Sequence, residues 1–146
     1  VRMVVENLTS ADIDFEGLAL YEEFAGKICR VKALQTIRPN EAISFAPVDH
    51  EGVPTSALQA VLDDKYLVEA AQEQSRNSEF PVVWAFSNIV DSNVPGCKTG
   101  TRSDVFNRKM GVGQKLPFTL GSQKFELLRE NDIDNARLFR LRVLAS

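Results

Sequence analysis

Leu116-Pro117-Phe118-Thr119-Leu120-Gly121-Ser122-Gln123-Lys124-Phe125-Glu126-Leu127-Leu128-Arg129 reads as two strands around a two-residue turn. Gly121-Ser122 is the punctuation: glycine tolerates the positive φ that a tight hairpin turn imposes. A few residues later, Arg137-Leu138-Phe139-Arg140-Leu141-Arg142-Val143-Leu144 alternates cleanly. Phe139, Leu141 and Val143 fall on one face and Arg140 and Arg142 on the other, the period of a half-buried strand. These neighbouring segments make the C-terminal end of the chain sheet and set the expectation for the rest.

Toward the N-terminus, Pro81–Val90 is the most hydrophobic segment and reads as a central strand. In Lys27–Arg38, Cys29, Val31 and Ala33 alternate with Arg30 and Lys32, again a sheet period. Ala42–Val48 and Met3–Leu8 read as further strands, and Asp104–Met110 as a strand or an irregular stretch. Two segments carry helical spacing instead. Leu18, Tyr21 and Ala25 follow capping chemistry at Thr9–Asp12, with Gly26 as a stop. Ala57–Arg76 has Ser56 and Gln59 at capping-box spacing and Leu58, Val61, Leu62 and Tyr66 as an apolar stripe, with Asp63-Asp64 as a point of division into two helices. Strands and helices do not alternate regularly, which argues against a doubly wound parallel fold. The expected fold is a β-rich antiparallel sandwich, jelly-roll or barrel-like domain with one or two helical insertions. Its close alternative is an α+β arrangement with helices on one face of an antiparallel sheet.

The 146 residues, with 44% hydrophobic and 25% charged, suit one soluble globular domain, residues 1–146. A chain of that length buries roughly 68–70% of its unfolded surface, enough for a core without staples. No apolar run approaches the roughly 20 residues of a membrane helix, and no signal peptide is visible at the start. Cys29 and Cys97 are not in a C-x-x-C pair, and reduced thiols are expected, with Cys29 on a strand and Cys97 in a loop. Compartment stays open.

The net charge of −3 is a near-cancellation of blocks. Residues 1–26 carry −5, 27–40 carry +4, 41–80 carry −6, 81–125 carry +4, and 126–146 are neutral. An overall acidic balance offers no general attraction to nucleic acid, so only a local patch could supply it. The clearest positive run is Lys98–Lys115, with Lys98, Arg102, Arg108, Lys109 and Lys115 against Asp104 alone. Gly100, Gly111 and Gly113 would let backbone N–H groups approach an anion there, and Thr99, Thr101 and Ser103 would add hydroxyl donors. Phe106 would stack on a base if exposed. The run is not a phosphate loop: Gly96-Cys97-Lys98-Thr99-Gly100 lacks the upstream Gly, and Gly111–Lys115 lacks the third Gly of a dinucleotide fingerprint. A second patch would arise if the strands carrying Arg30 and Lys32 and carrying Arg140 and Arg142 were neighbours.

Catalytic signals are thin. His50 is the lone histidine, in Asp49-His50-Glu51-Gly52, a turn by composition. An enzyme reading would make His50 the acid/base with Asp49 or Glu51 in support and a nucleophile such as Ser87 or Cys97 brought in by the fold. One His and two distant Cys cannot make a zinc site, and Asp12/Asp14, Asp63/Asp64 and Asp132/Asp134 lack the pattern of a calcium loop. No metal and no cofactor are expected. Two function classes follow. One is a non-catalytic structural or binding domain, a subunit of a larger self-assembling complex such as a shell or capsid. Its segment 98–115 would contact a partner or an anionic polymer, nucleic acid included, and the chain is expected to self-associate or to bind a protein partner. The other is a small enzyme with a dispersed site centred on His50.

Overall fold

The computed structural model describes the backbone of residues 1–23, 26–31, 34–46, 57–71, 82–91, 98–102, 108–133 and 136–146. Side chains are described for these except residues 19–31, 71, 82, 101–102, 108–109 and 136. In chain order the described strands are β1 (Arg2–Leu8), β2 (Ile13–Glu23), β3 (Gly26–Val31), β4 (Gln35–Ile37), β5 (Ala42–Phe45), β6 (Ala57–Leu62) and β7 (Tyr66–Ala71). They continue with β8 (Val82–Asp91), β9 (Lys98–Arg102), β10 (Arg108–Lys109), β11 (Lys115–Leu120), β12 (Gln123–Ile133) and β13 (Ala136–Leu144).

The hairpin around Gly121-Ser122 forms as its sequence requires. β11 and β12 pair antiparallel, with Leu120 opposite Gln123 and Gly121 at φ 58°. Together with β13, β1 and β5 they form a five-stranded sheet in the order β11-β12-β13-β1-β5. Within it β1 and β13 run parallel, with Met3 opposite Phe139 and Val5 opposite Leu141. The second sheet has eight strands, ordered β10-β8-β7-β6-β2-β3, with β4 added beside β2 and β9 beside β8. Two sheets share one core, and neither closes into a barrel. Met3, Phe45, Phe125, Phe139 and Leu141 come from the first sheet, and Phe15, Leu58, Ala60, Val68, Val83 and Ala85 from the second. This is sandwich-type packing, in which the inner faces interdigitate and alternate residues point away.

The expected helical insertions are absent among the described residues. Leu18–Ala25 falls largely on β2, and residues 57–71 of the second stretch are the β6–β7 hairpin. The cause is double-sided burial. Leu58, Ala60 and Leu62 join the inter-sheet core, while Leu18, Val61 and Leu67 are buried on the opposite face, with Phe86 and Ile89 packed against them. A strand buried on both faces loses its period of two and becomes a continuous apolar run, which a helical template also fits. Asp63-Asp64, expected as a break between helices, is instead the hairpin turn: both residues have positive φ, 52° and 51°, and Lys65 N donates to Leu62 O at 3.0 Å. Thr9–Asp12 is a loop held by Asn7, whose Nδ2 donates to Ala11 O and Ile37 O, while its Oδ1 accepts from Thr9 N and Oγ1.

Arginine in the core marks the opposite end of the sandwich. Arg129 is buried beside Phe139, its guanidinium 5.5 Å from the ring centroid, and its Nη2 donates to Asp132 at 2.5 Å. Arg137 donates to the other Asp132 oxygen. Burial pushes the Asp132 carboxyl up, but hydrogen bonds and positive charge from both guanidiniums outweigh it and hold the group below the ordinary carboxylate value.

Candidate partner-binding edge

The basic run Lys98–Lys115 is split between the two sheets. β8 pairs with β7 along one side. Along its other side it meets two short strands in succession: β10 sets Lys109 opposite Val82 and Arg108 opposite Val83. β9 sets Arg102 opposite Phe86 and Lys98 opposite Asp91. Among the described residues both are outermost, so four cationic positions follow one edge of the eight-stranded sheet. From Val82 to Asp91 that edge is about 30 Å long at ~3.4 Å per residue.

The polypeptide then crosses to the other sheet. Met110 is buried in the core, and residues 111–114 turn the chain into β11. Lys115 opens β11 opposite Leu128 and is exposed, without a hydrogen bond or ion pair among the described residues. Lys98 is different: its Nζ lies 3.1 Å from Asp91 and 3.4 Å from Asp64. The Asp91 hydrogen bond and the Asp64 charge raise its pKa above the ordinary lysine value against the opposing effect of desolvation. Its charge is already matched inside the protein, whereas Lys115 is exposed to a partner. For Arg102, Arg108 and Lys109 the strand position is described and the side chain is not.

The glycines have roles other than the expected one. Gly111 N donates to Gln114 Oε1 at 2.7 Å, and Gly113 N, at φ 86°, donates to Arg129 O at 2.8 Å. The Gly111 amide is consumed inside the turn and the Gly113 amide by β12, so neither cradles an anion. Gly100 sits where a Cβ would come within 3.1 Å of Ser87 O, beside the bulge in β8 at Asn88. Small size is needed there for strand approach.

The second patch does not form. β3 belongs to the eight-stranded sheet and β13 to the five-stranded one. Arg140 and Arg142 are instead laced to carboxylates: Arg142 to Glu6 at 3.0 Å and Glu126 at 3.1 Å, Arg140 to Glu130 at 2.8 Å. Such half-exposed pairs contribute about 0–1 kcal/mol each but cancel the charge. Asp49, His50, Glu51, Cys97, Ser103 and Phe106 lie outside the described residues, and Cys29 is placed on β3. Among the described residues no cluster of three or more His, Cys, Asp or Glu is arranged to hold a metal ion. No helix there is long and apolar enough to cross a membrane.

One feature went unsignalled in the sequence. A cavity of about 330 Å³ opens between the Thr9–Asp12 loop, the β6–β7 turn, Gln123 and the end of β13. Four separate segments build it, and no local pattern marks residues that meet only in space. Compared with known proteins, the chain matches no family model, no curated protein and no solved structure.

Proposed function

We propose that this chain is a non-catalytic binding domain, a subunit of a larger self-assembling complex, that meets an anionic partner along the outer edge of β8. The carrying observation is the succession of β9 and β10 on that one edge, which lines up Arg102, Arg108 and Lys109 at strand positions with Lys115 following in sequence. A linear track of cations favours an extended polyanion, because each contact releases a condensed counterion and the contacts add along the track. Charge on an edge strand also keeps it from pairing indiscriminately with other edges, so recognition there is electrostatic rather than by strand addition.

The test is a triple substitution, Arg102→Ala, Arg108→Ala and Lys109→Ala, measured against a single-stranded oligonucleotide at several salt concentrations, with light scattering for self-association. The parent should bind more weakly as salt rises. Removing three cations should flatten the log–log salt slope by about 2–3. Equal affinity, equal slope and equal particle size in parent and variant would refute the reading.

A further inference from the structure

We propose that the cavity between the Thr9–Asp12 loop and the β6–β7 turn is a binding site for a neutral, hydroxyl-rich ligand the size of a single sugar ring. The inference does not rest on the basic edge.

Its walls are fixed in advance. Asn7, fully buried, pins the Thr9–Asp12 loop through Ala11 O at 2.8 Å and through Thr9 N and Oγ1 at 2.9 and 2.7 Å. Asp63 is locked to β2 twice, its N donating to Asp14 O at 2.8 Å and its Oδ1 accepting from Asp14 N at 2.9 Å. Gln123 Nε2 donates to Leu144 O at 2.7 Å and Lys124 O at 2.9 Å, tying the start of β12 to the end of β13. Tyr66 is half-buried, its ring edge-on to Phe125 at 5.4 Å. A ligand entering such a site pays little to order it.

What remains open is a mixed set of groups. The Ser10 and Tyr66 hydroxyls and the Asp12 carboxylate line the cavity and have no partner among the described residues. Gln123 Oε1 and the second Asp63 oxygen are in the same position. Ile13 and Leu62, both largely buried, also line the cavity. Among the described residues no Lys or Arg lines the cavity, which argues against phosphate or carboxylate ligands. A purely apolar ligand would leave these polar groups desolvated and unpaired. A sugar ring offers hydroxyls that both donate and accept, and C–H faces for the apolar surface. The volume sits at the small end for ligand sites, which suits one ring and not a nucleotide.

The experiment is a backbone-amide NMR titration with glucose, galactose, mannose and xylose, and with putrescine and inorganic phosphate as contrasting probes. At least one sugar should give saturable shifts confined to residues 9–13, 62–66, 123 and 143–146, with a Kd in the millimolar range. Asp12→Asn and Tyr66→Phe, each retaining the parent spectrum elsewhere, should weaken that sugar by about tenfold. The proposal is overturned if no sugar saturates at that end, if both variants bind as the parent does, or if putrescine or phosphate is the probe that binds.

Discussion

Gly17→Ala should destabilise this protein although it adds one methyl group to a strand. Gly17 lies on β2 opposite Ala60, and the Phe45 ring from the other sheet covers it. A Cβ at position 17 would stand 2.4 Å from Phe45 Cε2, 2.7 Å from Cζ and 2.8 Å from Cδ2. Relaxed carbon contacts are about 3.5–4.0 Å, so three ring atoms overlap by roughly an ångström. The ring has nowhere to go: Phe45 is fully buried and packs edge-on to Phe15 at 5.5 Å. Overpacking of a full core costs about 1–3 kcal/mol, and an overlap this deep belongs near the top. Alanine recovers about 0.5–1 kcal/mol because its unfolded chain has fewer states to lose. The net is about 2 kcal/mol, or a Tm lower by roughly 4–8 °C for a domain of this size. Urea unfolding followed by circular dichroism and by Trp84 fluorescence gives the number. The same substitution in a Phe45→Leu background should be close to neutral, giving a coupling of about 2 kcal/mol. A Gly17→Ala variant within ~0.5 kcal/mol of the parent, or additive effects in the double variant, would refute the packing argument.

Two further perturbations test other regions of the sandwich. Asp132→Asn takes the carboxylate away from Arg129 and Arg137 and leaves a buried guanidinium poorly matched. It should cost about 1–2 kcal/mol at neutral pH, less than a fully buried pair because Asp132 is one-third exposed. The Asp132 pKa is depressed in the folded state, so its contribution is present above the unfolded carboxyl value of about 3.9 and is lost as pH falls through the lower folded value. Parent and variant stabilities should therefore converge in strong acid, and a pH-independent gap would contradict the ion-pair account. At the other end, Asp64→Gly removes a side chain from a residue at φ 51° in the β6–β7 turn. The resulting pair of turn residues suits a tight hairpin better, and stability should rise by about 0.5–1 kcal/mol, read as a shifted urea midpoint. A fall would show that the Asp64–Lys98 contact outweighs backbone strain.

Much of the strand set was legible because one sheet is buried on one face only. In β12 and β13 the outward positions are Glu126, Glu130, Arg140 and Arg142, and alternation against Phe125, Leu127, Phe139 and Leu141 survives in the sequence. β2, β6 and β7 carry a helical signature for the converse reason: neighbours cover both faces, so Leu58, Val61 and Leu62 lose the contrast on which periodicity depends. The basic run was equally visible as composition, but composition could not say that Lys98 is matched by Asp91 and Asp64. Nor could it say that the Gly111 amide is used within a turn and the Gly113 amide by β12.

Local matters are therefore written in the residues alone: the turn at Gly121-Ser122, the one wet face of the strand at 137–144, and the positive charge collected between residues 98 and 115. Each depends on neighbours a few residues apart. The matching of Lys98, why residue 17 must lack a side chain, and the enclosure of a cavity by four distant segments emerge only once the two sheets pack. Those outcomes depend on groups tens of residues apart meeting in the folded chain, and pairing in space leaves no periodic trace along the sequence.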